Sequence, residues 1–307
     1  MNPVNTKPYK LPTDATWLVT GCSSGIGREV ATLVASNPNQ RLIATARNPS
    51  SLSYLPDAPN ILKQALDVDS PSSVDAAFAA AAAHFGPKFT LDVVVNNAGY
   101  SLAGDTESVT EAEMHAQLET NFFGLVRVTL RALKLMREAA PRGGLIFNIS
   151  SVAGVCGFPG HAFYHASKWA VEGWTESVAR ELHPDWNINF CLIEPGAVKT
   201  NFETSSKKHI APHPAYADPS MPSRMLDAFV EQNLATGAGV DAEDLAKLLF
   251  HIASRGEKVP IFLPVSTTAT ALITGTLRAR LAIVEEVKEL SAVDKDKAQF
   301  DLDGLSK

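Results

Sequence analysis

Short apolar segments recur along the first 265 residues and end abruptly at Gly, Asn, Asp or Pro. Most are continuously apolar rather than alternating, which is typical of strands buried on both faces of a parallel sheet. The pattern predicts strands at Trp17–Thr20, Arg41–Ala46, Ile61–Asp67, Leu91–Asn96, Leu145–Ser150, Asn187–Glu194 and Val259–Val265.

Helical segments fill the intervals between these strands. Ser70–Phe85 opens with Ser-Pro and is rich in alanine, and Thr110 with Glu113 has the spacing of a capping box. The predicted helices are Ile26–Ser36, Ser70–Phe85, Thr110–Ala140, Phe163–Leu182 and Asp241–Ser254, the last with Asp241 as a possible cap. Such alternation predicts an α/β fold: one doubly wound, Rossmann-type parallel sheet of about seven strands with helices on both faces.

The pattern is interrupted in one internal segment and at the two ends. Residues 201–223 hold four prolines and two histidines with little periodicity, and a loop of this length is often a substrate lid. We therefore predict an N-terminal extension (1–13), a single Rossmann-fold domain (14–270) that includes this lid, and a C-terminal helical tail (271–307). Within the tail, Asp294–Lys307 is polar and expected to fray.

Composition excludes several classes of protein. The chain has 307 residues, 45% of them apolar, and a net charge of −6 with scattered basic residues, so no nucleic-acid partner is expected. The three cysteines lack paired spacing, which predicts neither a disulfide framework nor a metal site and suits a reducing compartment. No signal-like segment or long apolar run is present, so we expect no membrane span and a cytoplasmic location.

A glycine-rich turn follows the first predicted strand. In Thr20-Gly21-Cys22-Ser23-Ser24-Gly25-Ile26-Gly27, Gly21 and Gly25 permit a sharp turn, and Gly27 permits close packing of the next helix. The start of that helix offers free N–H groups to a pyrophosphate. Loop punctuation is the alternative, but the position between first strand and first helix favours a dinucleotide site.

The residues after the second strand bear on which dinucleotide binds. Where NAD enzymes of this architecture carry an acidic residue, the chain has Arg47, whose planar cation suits a phosphate. Ser24 could add a hydroxyl to that phosphate, and Arg28 is either a third contact or a solvent-facing residue. The pattern favours NADP(H) over NAD(H), the alternative being that Arg47 is an ordinary surface charge.

Side chains that could transfer a proton or orient a substrate lie along the second half of the predicted fold. Tyr164 and Lys168 are four apart, on one face of a predicted helix, where an ammonium would lower the tyrosine pKa from its usual value near 10. This spacing alone is typical of a plain helix surface. Ser151, thirteen residues upstream, could orient a substrate oxygen toward Tyr164, with Ser150 as the alternative. Asn121 is a poor mid-helix residue that either opens the helix for a function or only kinks it.

Together these motifs resemble the short-chain dehydrogenase/reductase family. The resemblance covers about residues 14–265 and includes, in the family's order, Thr-Gly-x-x-x-Gly-x-Gly, Asn-Asn-Ala-Gly, Ser-Ser-x-x-Gly, Tyr-x-x-x-Lys and Pro-Gly-x-x-x-Thr. In detail it is nearest to the 17β-hydroxysteroid and retinol dehydrogenase branch. It implies a catalytic set of Ser151, Tyr164, Lys168 and Asn121, the last holding a water that relays protons to Lys168.

The resemblance also implies the cofactor contacts. Asp67 and the Val68 amide would meet the adenine, with a helix N-cap as the competing role of Asp67, and Asn96 and Gly99 would be partly structural. Val198 and Thr200 would fix the nicotinamide for transfer from its B face. The expected cofactor-binding residues are Gly21, Ser23, Ser24, Gly25, Ile26, Gly27, Arg47, Asp67, Val68, Asn97, Ala98, Gly99, Tyr164, Lys168, Pro195, Gly196, Val198 and Thr200.

The expected function is therefore NADP(H)-dependent interconversion of a carbonyl and an alcohol. Phe158, Phe163 and Phe202 suggest a lipophilic substrate. The alternatives are net non-redox chemistry, such as epimerisation or cyclisation, and a nucleotide-sensing regulator. The family pairs two of its helices between subunits, so a homodimer or homotetramer is expected through helices carrying Leu125, Val128, Leu133, Trp169, Val171 and Trp174, unless these residues only cover the sheet.

Overall fold

Seven parallel strands form the central sheet of the computed structural model, which describes residues 4–87 and 89–293. Their order across the sheet is β3-β2-β1-β4-β5-β6-β7, so the winding direction reverses between β1 and β4. Ligands bind such sheets at the carboxyl ends of the strands near this reversal. The strands are β1 (Thr16–Val19), β2 (Arg41–Ala46), β3 (Ile61–Ala65), β4 (Val93–Asn96), β5 (Gly144–Ile149), β6 (Ile188–Pro195) and β7 (Phe262–Val265).

Helices cover both faces of the sheet, which confirms the predicted fold class. They are α1 (Gly25–Ala35), α2 (Pro71–Phe85), α3 (Glu111–Leu118), α4 (Leu125–Glu138), α5 (Ala162–Glu181), α6 (Pro222–Ala235), α7 (Ala242–Ser254) and α8 (Thr267–Ser291). Neighbouring residues of β1 show the two layers: Trp17 packs with α1 and α7, whereas Leu18 packs with α2 and α4. Because both faces are buried, the strands are continuously apolar.

The predicted helix over 110–140 is divided by a π-helical turn. The turn, Glu119–Gly124, joins α3 to α4 and contains Asn121, in keeping with the expected opening of the backbone there. The capping box is present, since the Glu113 amide donates to Thr110 Oγ1 at 3.3 Å and the Thr110 amide donates to Glu113 Oε2 at 3.1 Å. At α7, in contrast, the Asp241 carboxylate makes no capping bond and pairs with Lys199 at 3.3 Å.

Segment 201–223 has more regular structure than its sequence predicts. It contains a π-helical turn (Phe202–Ser206) and a short strand (Lys207–His209) that runs parallel to Ser101–Ala103. Its last two residues already belong to α6, a helix that the apolar pattern did not predict. We refer to residues 201–223 as the lid segment.

The two ends of the described chain differ in how they pack. Near the start, the side-chain amide of Asn5 donates to Phe190 O at 2.7 Å. The Tyr9 side chain is buried, and its hydroxyl donates to Asp92 O at 3.0 Å. Near the end, α8 runs across the boundary at 270 between the expected domain and tail, and most of its residues are exposed. The expected fraying of residues 294–307 lies outside the described residues. Within the described part, no helix is both long and apolar enough to cross a membrane.

Most apolar residues proposed for a subunit interface are buried within the chain itself. Leu125, Val128, Leu133 and Val171 are at most 7% exposed, so covering the sheet accounts for them. Trp169 remains exposed, and its ring is stacked by the guanidinium of Arg280 at 4.3 Å.

Candidate active site

The glycine turn connects β1 to α1 at the carboxyl edge of the sheet. Gly21 and Gly25 have φ angles of +72° and +56°, which side chains disfavour, and a Cβ on Gly27 would lie 2.5 Å from the Gly21 carbonyl oxygen. Ser24, at the N-cap of α1, makes no capping bond, and the first turn of α1 has no acidic residue. The N–H groups of the first turn of α1 are therefore available to an anion, and this arrangement fits the pyrophosphate of a dinucleotide.

The residues that follow β4 brace this turn. The Asn97 amide nitrogen donates to Thr20 O at 2.9 Å and to Gly21 O at 3.2 Å, while Thr20 Oγ1 accepts from the backbone amides of Asn97 and Ala98. Asn96 is buried and donates to Thr129 and Asn148 instead. Asn96 is thus a structural buttress, and Asn97 fixes the shape of the turn.

Three polar side chains predicted to select the cofactor lie around the turn. Arg47 is exposed directly after β2, and Ser24 is half-buried. The guanidinium of Arg28 stacks 4.2 Å from the ring centroid of Tyr54, whose hydroxyl donates to Cys22 O at 2.8 Å. Arg28 is thus exposed, as the solvent-facing interpretation expected, and its guanidinium is held beside the turn by the Tyr54 ring. Tyr54 was missed because nothing local in its sequence links it to the turn.

Asp67 follows β3 and does not cap α2. The N-cap of α2 is Ser70, whose hydroxyl accepts from the Ser73 amide at 3.3 Å. The Asp67 carboxylate accepts instead from the Asp69 amide at 3.2 Å. The N-cap interpretation is therefore wrong, and Asp67 with Val68 lies at the carboxyl end of the sheet.

Tyr164 and Lys168 lie on one face of α5, as their spacing predicts. The Lys168 ammonium is buried, lies 5.8 Å from the centroid of the Tyr164 ring and donates to Ile149 O at 2.7 Å. Burial lowers the pKa of Lys168 to about 8, although the nearby Glu172 carboxylate acts to raise it. A buried ammonium beside a phenol favours the phenolate, which is what proton transfer by tyrosine requires.

The two serines after β5 have different surroundings. Ser151 Oγ donates to Pro195 O at 3.4 Å, at the end of β6, and accepts from the Ala153 amide at 3.1 Å. The Ser150 hydroxyl is buried next to Glu172 and Gly154. Successive residues of an extended chain point to opposite sides, so only one of them faces the Pro195 loop, and that one is Ser151.

Asn121 joins the segment after β4 to α5. Its Oδ1 accepts from the Tyr100 amide at 3.0 Å, and its Nδ2 donates to Tyr100 O at 2.9 Å and to Ser167 Oγ at 3.0 Å. Ser167 in turn donates to Tyr164 O at 2.7 Å. The amide of Asn121 is thus committed to protein groups beside the first turn of α5.

The loop after β6 closes against the glycine turn. A Cβ on Gly25 would lie 3.3 Å from Thr200 Cγ2, and Thr200 Oγ1 accepts from the Phe202 amide at 3.1 Å. Val198 pairs with Val240 in a short parallel ladder. The ends of β1 and β6 are thereby brought together, with Pro195, Gly196, Val198 and Thr200 between the turn and the lid segment.

His165 has a packing role on α5. Its Nε2 accepts from the Phe158 amide at 3.2 Å, so Nδ1 carries the proton and donates to Ala153 O at 2.9 Å. This arrangement is a neutral imidazole, and burial lowers the pKa of His165 accordingly. The Phe158 ring lies 5.5 Å from this imidazole.

One buried carboxylate anchors the lid segment. Asp105 is 2% exposed and accepts from the His213 amide at 2.9 Å, from Ser223 Oγ at 3.2 Å and from Arg224. Burial alone would raise the pKa of Asp105, but the bonds from His213 and Arg224 outweigh it and hold the pKa below its usual range. Sequence reasoning missed this contact because Asp105 and Arg224 are far apart in the chain.

The anchor predicts a specific effect of Asp105→Asn. The amide keeps the shape but removes the buried charge opposite Arg224, which leaves only the more distant Asp227 carboxylate at 3.8 Å, so the lid segment should loosen. We expect KM for the substrate to rise by about tenfold, since bonds to charged groups contribute ~1.5–3 kcal/mol. The affinity for cofactor should be unchanged. Steady-state kinetics measure the change in KM, and the rate of limited proteolysis within residues 201–223 measures the loosening of the lid segment.

Asp218→Asn is the matched control, because Asp218 lies on the same segment and its exposed carboxylate accepts from the amide and hydroxyl of the nearby Ser220. Unchanged KM and proteolysis in Asp105→Asn would refute the anchoring role.

The sequence of this chain is similar to a family model and to several known proteins. A sequence model described as short chain dehydrogenase matches residues 15–211, which include the glycine turn, Tyr164 and Lys168. Oxidoreductase calM of Penicillium decumbens is 65% identical over 98% of this chain and 99% of its own length. Retinol dehydrogenase 8 of Bos taurus is 34% identical over 84% of this chain and 83% of its own, in agreement with the branch that the motifs resemble.

The fold is also found in a solved structure. A short-chain dehydrogenase from Streptomyces avermitilis superposes with a TM-score of 0.79 and is 31% identical. The match covers 91% of this chain and 98% of that one.

Proposed function

We propose that this chain, which belongs to the short-chain dehydrogenase family, is an NADP(H)-dependent oxidoreductase that interconverts a carbonyl and a primary or secondary alcohol on a lipophilic small molecule. The observation that carries the proposal is the Tyr164 ring beside the buried Lys168 ammonium, at 5.8 Å. Both lie at the carboxyl edge of the sheet, where the first turn of α1 has neither a capping side chain nor an acidic residue.

Tyr164 acts as the general acid in the reducing direction. As negative charge develops on the carbonyl oxygen, the phenol gives up its proton, and the Lys168 ammonium stabilises the phenolate that remains. Ser151 donates a second hydrogen bond to the same oxygen and so orients it. NADPH supplies the hydride when bound. Asn121 acts as a positioning residue, since it ties α5 to the segment after β4 beside Tyr164.

The chain holds the cofactor along the carboxyl edge of the sheet. The first-turn N–H groups of α1 receive the pyrophosphate, and Arg47 with Ser24 receives the 2′-phosphate. The nearest acidic residue after β2, Asp57, is paired with Lys63 at 2.6 Å, which supports a phosphate rather than a ribose partner at Arg47. The remaining contacts come from Gly21, Ser23, Gly25, Ile26, Gly27, Asp67, Val68, Asn97, Ala98, Gly99, Pro195, Gly196, Val198 and Thr200.

Arg47→Ala tests the cofactor preference. Removal of a charged donor to phosphate should lower kcat/KM for NADPH by about 10- to 100-fold, since such bonds contribute ~1.5–3 kcal/mol. kcat/KM for NADH should change by less than about twofold, because NADH lacks the phosphate. Arg41→Ala, at the opposite end of β2, is the control. A wild-type preference for NADH would contradict the assignment of NADP(H).

The surroundings of Tyr164 support an apolar substrate. The Phe202 ring lies 6.3 Å from the Tyr164 ring, at the start of the lid segment. The Phe158 ring lies 5.5 Å from the His165 imidazole, which itself lies 6.3 Å from the Tyr164 ring. An apolar chain on the substrate would bury against these rings, while its carbonyl meets Tyr164 and Ser151.

A screen of lipophilic ketones and aldehydes for NADPH oxidation, with NADH in parallel, tests the proposed function. We expect NADPH to be consumed in a one-to-one ratio with alcohol formed. Product formation without NADPH consumption would indicate epimerisation or cyclisation instead. Tight NADPH binding with no turnover on any substrate would indicate a nucleotide-sensing regulator.

We also propose that the enzyme is a cytoplasmic homodimer or homotetramer assembled through α4 and α5. Phe123, Leu130 and Trp169 support this proposal, because they are 42–53% exposed on these two helices and on the turn before α4. Light scattering measures the state directly, and a monomer would contradict it.

A further inference from the structure

Two carboxyl groups lie in the interior near the end of β6, and one of them, Glu172, is one turn from Lys168 on α5. The other is that of Glu194, on β6 itself. In the described residues, neither oxygen of Glu172, nor Oε2 of Glu194, nor the Ser150 hydroxyl is accessible to solvent, and none of them makes a hydrogen bond of regular geometry, although the Ser150 hydroxyl lies close enough to Glu172 to lower its pKa. These three side chains supply four of the seven such atoms in the described residues. Buried polar groups are almost always bonded, so this concentration needs an explanation.

The packing around Gly154 holds Glu172 in place. A Cβ on Gly154 would lie 2.7 Å from Ser150 Oγ and 2.9 Å from Glu172 Oε1, so hydroxyl and carboxylate occupy the space that any side chain there would need. Strand pairing fixes the other side, because the Ser150 amide donates to Ile193 O at 2.8 Å and so aligns β5 with the end of β6. Glu172 is therefore packed between Gly154 and Ser150, one turn from Lys168 on the same helix.

The charges in this interior cluster are strongly coupled. Burial raises the pKa of Glu172 to about 7, against the lowering effects of Ser150 and Lys168. Burial, followed by the charge of Glu172, raises the pKa of Glu194 to about 8.

Other ionisable groups border the cluster. Glu176 on α5 adds a small repulsion to Glu172, and Cys191 on β6 is a neutral thiol, since burial raises its pKa. Arg255, after α7, acts on Cys191. The positive charge that faces Glu172 is that of Lys168.

We propose that Glu172 is a positioning residue whose shielded carboxylate, one turn from Lys168 on α5, keeps the Lys168 side chain in its ammonium form. Burial by itself drives Lys168 toward the neutral amine, which could neither stabilise a phenolate at Tyr164 nor donate to an anionic cofactor as strongly. The proposal rests on the proposed function, because it acts through Lys168 on Tyr164.

Glu172→Gln tests it while preserving the shape of the side chain. Loss of the negative charge removes an influence that raises the pKa of Lys168, so that pKa falls. The alkaline limb of the kcat/KM profile should move to lower pH by about one unit, the size of shift that a neighbouring charge typically produces. The pH at which NADPH binding weakens, followed by cofactor fluorescence without substrate, should move with it. Glu181→Gln, exposed at the end of the same helix, should leave both curves unchanged.

Glu172→Asp is the second variant, in case Glu172→Gln does not fold. It keeps the charge one methylene further back, so both curves should lie between those of the wild type and Glu172→Gln. A folded Glu172→Gln whose two curves superpose on those of the wild type overturns the proposal. So does lost activity with an unchanged pH dependence of binding, which would indicate a merely structural residue. If the wild type reduces no carbonyl, the proposed function fails, and the binding curves still decide the role of Glu172.

Discussion

Tyr164→Phe is expected to lower kcat by at least ~10²-fold, the contribution that a positioned general acid typically makes. Phenylalanine keeps the ring against Phe202 and over Lys168, so the site should retain its shape. The affinity for NADPH should therefore change by less than about threefold, since most of the expected cofactor contacts lie elsewhere along the sheet edge. Steady-state kinetics with an identified carbonyl substrate and fluorescence titration with NADPH measure the two quantities separately.

Tyr54→Phe is the matched control for this substitution. The substitution removes only the Tyr54 hydroxyl, which donates to Cys22 O in the glycine turn, and keeps the ring that stacks on Arg28. Loss of the hydroxyl should weaken cofactor binding modestly and leave kcat near that of the wild type. Wild-type turnover in Tyr164→Phe would remove Tyr164 from the chemistry and leave Ser151 as the remaining candidate acid.

Lys168→Met is expected to impair both cofactor affinity and turnover. Methionine approximates the length of lysine but has no ammonium, so the phenolate of Tyr164 loses its stabilising charge and Ile149 O loses its donor. We expect kcat to fall by about 10²-fold or more and Kd for NADPH to rise by about tenfold, as a charged hydrogen bond contributes ~1.5–3 kcal/mol. The same two assays measure these changes.

The buried carboxyl group of Glu172 should also respond to Lys168→Met. Without Lys168, Glu172 loses the ammonium that acts to lower its pKa and should bind a proton at higher pH, because an isolated buried carboxylate is costly. Lys199→Met is the control, since Lys199 forms an exposed pair with Asp241 on the loop after β6. If Lys168→Met bound NADPH as tightly as the wild type, Lys168 would have no part in holding the cofactor.

The features that the sequence predicted well are local. Strands β1, β4, β5 and β6 are buried along their whole length, which leaves a continuous apolar run in the sequence. The glycine turn requires positive φ at Gly21 and Gly25, and few residues other than glycine adopt it. Helix α5 brings Tyr164 and Lys168 to one face by its period alone.

Long-range contacts could not be predicted in the same way. Asp105 and Arg224 are separated by 119 residues, and no local pattern marks either as part of an anchor. The approach of Glu172 to Ser150 depends on how α5 packs over the edge between β5 and β6, which only the tertiary structure determines. The N-cap role considered for Asp67 was wrong for a related reason: two candidate caps stood three residues apart, and Ser70 took the position.

Helix α6 was missed because its burial is weak. Its residues are mostly half-exposed or exposed, so its sequence lacks the apolar stripe that reveals α1 or α7. Its first turn is held instead by polar bonds from Ser223 and Arg224 to Asp105. Because residues 201–223 are fastened by polar contacts rather than by an apolar core, they fit the predicted role of a substrate lid.

The most direct test of the account follows a deuterium label placed at C4 of NADPH. With the label on the face that the loop Pro195–Thr200 is expected to present, the B face, the alcohol formed should carry one deuterium on its carbinol carbon for each NADPH oxidised. With the label on the opposite face, the deuterium should remain in the oxidised cofactor. Product that forms without deuterium from either position would contradict the central claim, because no hydride would then have passed from the cofactor to the carbonyl beside Tyr164.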